Sequence, residues 1–328
     1  MSRQLRRHLD DLNALVFQTA TARGLPAPYV EKDFWVTEVL RAATVDRELW
    51  LPDGRAAPVT FLFKGGTSLS RVFGLVDRFS EDVDLLAVFP EGASANARHK
   101  VLKQVDADVT KHLGLTKSGV TVGASTTGVK RYTTYQYPVA EHSDGLREGV
   151  LLELGSRGGT YPAGAHSYRS MVACYAMTEL GEPESTWEEF SAFTVDVLAP
   201  ERTLLEKIAA VHDAADRGDT DALLRHGRHF YDIERLLNSA TVIKALDALE
   251  IGGFAELIED INAHSAEAGF SWSPRPESGY AESPAFDPDA DVREAVRTGF
   301  AAAQALVHGP RITLDKVTAT VLANRERL

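Results

Sequence analysis

Between Val59 and Phe89 the hydrophobic pattern of the chain changes period twice, and this block constrains the fold more than any other stretch. VTFLF is a short β-branched and aromatic run, typical of a buried strand, and it follows a proline and glycine break at LPDGRAAP. KGGTS then makes a glycine turn that opens a short helix from Thr67 to about Phe73. A second strand is predicted from Asp82 to Phe89, bounded by Pro90.

Asp82 and Asp84 stand two apart on that second strand, so a period of two sends both carboxylates to one face. Two carboxylates so placed can share divalent cations. A hard ion such as Mg²⁺ takes oxygen ligands, commonly one or two carboxylates plus substrate phosphates. An Asp-x-Asp pair by itself also suits a strand end that faces water or caps a turn. Upstream, Gly65, Gly66 and Thr67 follow a strand and open a helix, which turns backbone amides and a positive helix terminus outward as a phosphate cradle. Small residues let the chain approach a triphosphate closely, and the Thr67 and Ser68 hydroxyls add donors. Glu153 in VLLELGSR is the candidate third acid, because it interrupts an apolar strand where a carboxylate needs a reason to be. Its alternative is a salt bridge with Arg157 or another basic residue. Lys64 and Arg78 are candidate phosphate or sugar contacts, and each could instead pair with Glu81 or Asp77.

The rest of the chain organises around this block. Apolar residues recur at helical spacing from Leu5 to about Ala22, and a second helix holds EKDFWVTEVLRAA, with Glu31, Lys32 and Asp33 in its first turn. Phe34 and Trp35 there read as core rather than as a platform for stacking bases. A helix is predicted from about Ser94 to Leu113, followed by strands around Ser118–Val122, Arg131–Tyr137 and Gly149–Leu154 of a mixed sheet. After Phe193 the composition shifts toward helix, with Pro200 and Glu201 at a helix start, so residues 1–198 are read as a core and 199–328 as a helical C-terminal domain. The stretch from Phe270 to Asp291 reads as a surface loop, and two helices close the chain.

Composition narrows the partners. Asp and Glu total 47 against 35 Lys and Arg, a net charge of −12 over 328 residues, so no overall basic field draws nucleic acid from a distance. Any such contact needs a local patch, and Arg225, His226, Arg228, His229 and Arg235 form the best one, with a solvated helix face as the alternative. Cys174 is the only cysteine, which forbids an internal disulfide, a Cys-based zinc site and an iron–sulfur cluster. With no apolar run approaching 18 residues and no export signal, a cytoplasmic protein without a membrane partner is expected.

With the cradle and acid pair in view, the sequence resembles the AbiEii/AbiGii family of nucleotidyltransferase toxins, a branch of the DNA polymerase β-like superfamily that includes MenT-type tRNA-modifying toxins. FKGGTSLSRVFGLVDRFSEDVDLL is similar to the family's glycine-rich and Asp-x-Asp block, VEKDFWVTEVL to its early helix, and PERTLLEKIAAVHD to its Lys helix. RHFYDIERLL resembles the family's Arg-Asp-x-Tyr-Asp block, but His229 stands where the first Asp is usual and only Asp232 is retained.

The resemblance implies an α+β fold with a polymerase β-like core, a mixed sheet with flanking helices, followed by a helical region that contributes Lys207 and Asp232. It implies transfer of a nucleoside monophosphate from an NTP onto a hydroxyl, in some members the 3′ end of tRNA, and a cognate antitoxin protein. Carried over by motif, Asp82 and Asp84 bind Mg²⁺, Lys207 contacts the triphosphate, Asp232 is a further essential acid, and Gly66 and Thr67 hold phosphate oxygens. The residues alone leave alternatives open: Lys207 could pair with Glu206 or Asp213, and Asp232 with Arg228 or Arg235 at helical spacing. Ser80, just before the acids, caps the turn or, if phosphorylated, would oppose metal and nucleotide by charge. Rival readings keep the chemistry but change the acceptor to a small molecule or a protein side chain, or keep only nucleotide or antitoxin binding without turnover.

Overall fold

A computed structural model describes residues 3–140, 146–268 and 272–328 of the chain, which divide between two units. Met1–Thr67, Glu81–Ser156 and Ala163–Val197 form the first, and Ser68–Ser80, Arg157–Pro162 and Leu198–Leu328 the second.

The first unit opens with α1 (Leu9–Arg23) and α2 (Ala27–Ala43). Pro28 lies in the first turn of α2, where its missing N–H leaves no helical bond unmade. From Val30 to Leu40 this helix is buried, its charged residues included. The Glu31 carboxylate accepts the Ala140 N–H at 3.1 Å, Asp33 accepts the Met171 N–H at 2.6 Å, and Glu38 meets His112 at 2.7 Å. Phe34 and Trp35 are in the core, as their apolar setting predicts.

Next come β1 (Arg47–Trp50), β2 (Ala56–Lys64), α3 (Gly65–Arg71), β3 (Asp82–Val88) and α4 (Ala95–Leu113). They are followed by β4 (Val120–Thr126), β5 (Lys130–Tyr135), β6 (Val150–Gly155), β7 (Ala163–Tyr168), α5 (Met171–Thr178) and β8 (Phe193–Leu198). The strands form one mixed sheet in the order β4-β5-β6-β3-β2-β8-β7, with β1 pairing antiparallel to the first half of β2. β3 runs parallel to β6 and antiparallel to β2, so the strand bearing the acids is central. α2 packs on β3 and β6, and α4 on β5. Along β6 the positions Val150, Leu152 and Leu154 are buried while Leu151, Glu153 and Gly155 are partly exposed, the alternation of a sheet covered on one face.

Two sequence readings are corrected here. The change to helix after Phe193 begins late: FTVDVL is β8, whose β-branched alternation is a strand signal in its own right and which joins β2 at Leu62 and Phe63. β1, β7 and α5 were also not read from the sequence, being four to eight residues long with mixed composition.

The second unit is helical: α6 (Pro200–Asp216), α7 (Thr220–Arg225), α8 (Gly227–Leu237), α9 (Ala240–Ala248), α10 (Glu250–Ala268), α11 (Arg293–Ala303) and α12 (Leu314–Ala323). α8 is its hub, packed by α6, α11 and α12, and buries Phe230, Tyr231, Ile233, Leu236 and Leu237. Of the predicted surface loop, Phe270 and Ser271 lie outside the described residues. The remainder is not a simple surface loop, because Tyr280, Ser283, Ala285 and Phe286 are buried and the Ser283 hydroxyl hydrogen-bonds His212 at 2.9 Å. Among the described residues no helix is long and apolar enough to cross a membrane.

Candidate active site

The sheet register assembles the acid site. Lys64 on β2 faces Asp84 on β3, Asp84 faces Glu153 on β6, and Glu153 faces Tyr132 on β5. Directly opposed residues share a face, so these four side chains form one row across four strands, and Asp82 lies on the same face opposite Leu151. The glycine turn abuts this row. Gly65 has φ 81°, a region that favours glycine, and a β-carbon there would run into the Asp84 carboxylate oxygen Oδ2. The turn can approach the acids only because position 65 has no side chain.

Thr67 fastens the turn to the strand: its hydroxyl donates to the main-chain oxygen of Asp82 at 2.6 Å. That hydroxyl, expected to face phosphate, makes an internal bond, and Thr67 and Ser68 are both buried.

Charge crowds the row. Burial, then the neighbouring Asp84 and Asp82, push the Glu153 carboxyl up to about 7, and the Arg147 and Lys64 cations only partly offset them. The Arg147 guanidinium lies 3.3 Å from Asp82 Oδ1, and its main-chain N–H donates to Glu81 at 2.8 Å. Lys32, fully buried in α2, holds this corner by donating to the carbonyls of Arg147, at 2.5 Å, and Gly149, with Glu81 3.4 Å away. Burial draws the Lys32 ammonium down from its usual value, against the pull of Glu81. Lys32, Arg147 and Tyr132 were not singled out from the sequence. The usable signals were a lysine between two acids, Glu31 and Asp33, at the head of the apolar run of α2, and the alternation of KRYTTY.

Asp82 and Asp84, two carboxylates on one face beside the glycine turn, are oxygen donors of the kind a hard divalent cation takes. Among the described residues no three His, Cys, Asp or Glu side chains close into a ready metal cage. Glu153 faces Asp84 from the next strand without completing one. A Mg²⁺ ion held by Asp82 and Asp84 with substrate phosphates needs no third protein ligand, so the fit stands on those two.

In the second unit the structure brings together Arg78, Lys207 and Asp232. Arg78 Nε and Nη2 each donate to Asp232 at 2.6 Å, a bidentate fork, and Lys207 Nζ lies 3.0 Å from the same carboxylate. All three are buried. Burial alone would raise the Asp232 carboxyl, but Arg78 and Lys207 outweigh it and hold the group below the usual range. None of the sequence alternatives describes these pairs: Glu206 binds Arg202, Asp213 binds Arg217, and Arg235 binds Asp77 at 2.9 Å. Arg78, a sequence candidate for a phosphate or sugar contact or for pairing with Glu81 or Asp77, forks onto Asp232.

His226 and His229 stack with ring centres 4.7 Å apart. Burial, then nearby cations, lowers both, His229 well below the usual histidine range under Lys207, His226, Arg78 and Arg228. The expected basic patch is therefore thinner than its sequence. Burial and nearby cations disfavour charge on its histidines, Arg235 is paired with Asp77, Arg225 is exposed at the end of α7, and Arg228 is half-buried. Ser80, half-buried, ends the 68–80 segment.

A mixed sheet that sets an Asp-x-Asp strand against a glycine turn, with a third acid on the adjoining strand, is an arrangement compatible with nucleotidyl transfer. The family model for the nucleotidyl transferase AbiEii toxin of type IV toxin–antitoxin systems matches residues 56–317. The chain belongs to that family: it is a nucleotidyltransferase toxin, whose substrate is an NTP and whose partner is an antitoxin. No curated protein matches it.

Proposed function

We propose that the protein transfers a nucleoside monophosphate from an NTP to RNA, at the 3′ end of tRNA, and so blocks translation. The observation that carries this reading is the row Lys64, Asp84, Glu153 with Asp82 beside it and Gly65 pressed against Asp84. Asp82 and Asp84 would hold Mg²⁺, which when bound supplies neutralisation of the charge that builds on the phosphates. Lys64 and the main chain of Gly65, Gly66 and Thr67, with Ser68 behind them, receive the triphosphate. The acceptor hydroxyl oxygen attacks the α-phosphorus, the bond from that phosphorus to the bridging oxygen breaks, and pyrophosphate leaves with its electron pair. Glu153, beside Asp84 on the side away from the glycine turn, takes the hydroxyl proton.

The family resemblance gives Lys207 a contact with the triphosphate and Asp232 an essential place. Asp232, gripped by the Arg78 fork and 3.0 Å from Lys207 Nζ, would set the direction of that ammonium. Arg225 and Arg228 serve as RNA-backbone contacts. Ser80, two residues before Asp82, is a modification site that would switch the enzyme off by charge. The chain acts in the cytoplasm, where tRNA and NTP are found together.

The test is incubation of the purified protein with each α-labelled NTP, Mg²⁺ and total tRNA, beside Asp82→Ala. Label in the tRNA band that requires Asp82 is expected. Labelled small molecules or protein with unlabelled tRNA would shift the reading to the acceptors that the net charge of −12 favours.

A further inference from the structure

The row of side chains does not end at the acids. Tyr132 stands opposite Glu153 as the last member, with its ring half-exposed, and Lys130 lies on the same face with its ammonium 5.6 Å from the centre of that ring. Lys130 faces Gly155 across the β5–β6 pair, and a β-carbon at Gly155 would meet nothing within 4 Å. An aromatic ring, a lysine and open backbone thus adjoin one another on the far side of Glu153 from the glycine turn. No role in the reading above uses them.

Which substrate belongs there follows from the stereochemistry of the transfer. In-line displacement at phosphorus sets the attacking and leaving oxygens on opposite sides of the reacting atom. If the triphosphate lies at Lys64 and Gly65, pyrophosphate departs toward β2, and the acceptor hydroxyl must come from the opposite side, across Glu153 toward β5. Neighbouring strands lie about 4.8 Å apart, which puts Tyr132 roughly 10 Å from the Asp84 strand, where the base of the acceptor's last nucleotide would fall. A half-exposed ring with a lysine beside it suits single-stranded nucleic acid, since every base has a face to stack and every nucleotide a phosphate. Gly155 leaves room for that base.

We propose that Tyr132, Lys130 and Gly155 form the acceptor platform: Tyr132 stacks on the 3′-terminal base of the RNA, Lys130 pairs with the adjoining phosphate, and Gly155 is the floor that lets the nucleotide in. Tyr132 and Lys130 are positioning residues for the acceptor and take no part in binding the NTP. This rests on the RNA-acceptor reading of the site.

Steady-state transfer from α-labelled NTP is measured for the full chain with tRNA varied at saturating NTP, and the reverse, for wild type, Tyr132→Ala, Tyr132→Phe, Lys130→Ala and Gly155→Val. Tyr132→Ala and Gly155→Val are expected to raise KM for tRNA about tenfold, the effect of one lost base stack, with KM for NTP unchanged. Tyr132→Phe, which keeps the ring, behaves as wild type, and Lys130→Ala weakens tRNA and flattens the salt dependence of its KM. An active wild type whose Tyr132→Ala and Gly155→Val variants keep the normal KM for tRNA overturns the platform and spares the RNA reading, as does a parallel rise in KM for NTP. A wild type that labels no RNA overturns both. Should Tyr132→Ala melt early, Gly155→Val, which fills open space, carries the test.

Discussion

Replacing Asp232 by Ala removes one counter-ion from two buried cations, and its cost can be worked from the geometry. The carboxylate is wholly buried, receives two N–H groups from Arg78 at 2.6 Å, and lies 3.0 Å from Lys207. The Arg78 side chain is 3% exposed and that of Lys207 9%, so water can replace little of what is lost. Removing one partner of a buried ion pair costs about 3–5 kcal/mol. For a domain of this size each kcal/mol lowers Tm by roughly 2–4 °C, so a fall of about 10 °C is expected. Urea unfolding followed by far-ultraviolet circular dichroism at pH 7 measures the free-energy loss and thermal unfolding the fall in Tm, and Asp232→Asn, which keeps an acceptor but no charge, should fall between. In the double variant Asp232→Ala with Arg78→Met the losses should not add, with a coupling of about 1–3 kcal/mol. The folded-state carboxyl is held below its unfolded value of 3.8, so its contribution is complete above that pH and is lost as the pH falls through the lower, folded value. Wild type and Asp232→Ala should therefore converge in strong acid. An Asp232→Ala protein within about 0.5 kcal/mol of wild type at pH 7 would refute the argument that this carboxylate is the clamp of Arg78 and Lys207.

Three further outcomes are expected. Gly65→Ala forces a side chain into a left-handed conformation, at about 1–2 kcal/mol, and into Asp84, so nucleotidyl transfer should drop at least about 100-fold in a protein that still melts cooperatively; retained activity would show that the turn does not need its close approach to the acid. In metal-free buffer Glu153→Gln should stabilise the protein at pH 8 by about 1–2 kcal/mol, a figure reduced for partial exposure, and leave it unchanged at pH 4.5. The carboxyl is raised from 4.5 to about 7 on folding, so its ionisation opposes folding progressively across that window, and equal unfolding curves at pH 8 would contradict the crowding of the row. His229 is depressed on folding, so wild type loses stability as pH falls below 6.5, where the unfolded chain protonates first; His229→Gln should flatten that slope between pH 6.5 and 5, and an unaltered slope would assign it to other groups.

Much of the site could be read before any fold was known. A period of two puts Asp82 and Asp84 on one face whatever surrounds them, and the glycine pair between strand and helix marks the turn, because both are properties of the local backbone. Glu153 was legible as an acid interrupting an apolar strand. Its neighbour was not, since only the parallel register of β3 with β6 sets it opposite Asp84, and only the antiparallel β5 adds Tyr132. Local spacing could name helical partners for Asp232, and it named Arg228 and Arg235. The true partners, Arg78 and Lys207, come from 154 and 25 residues away, the first in a segment that the sequence assigned to the core domain. The buried charges of α2 follow the same rule. Glu31, Lys32 and Asp33 are an unremarkable first turn until loops at 140 and 147–149 and the first residue of α5, Met171, close over them and each finds a main-chain partner. Periodicity and turn chemistry act within a few residues, so the sequence alone determined which residues are candidates for the chemistry. Pairing and burial act between segments distant in the chain, so only the tertiary structure decided which charges meet.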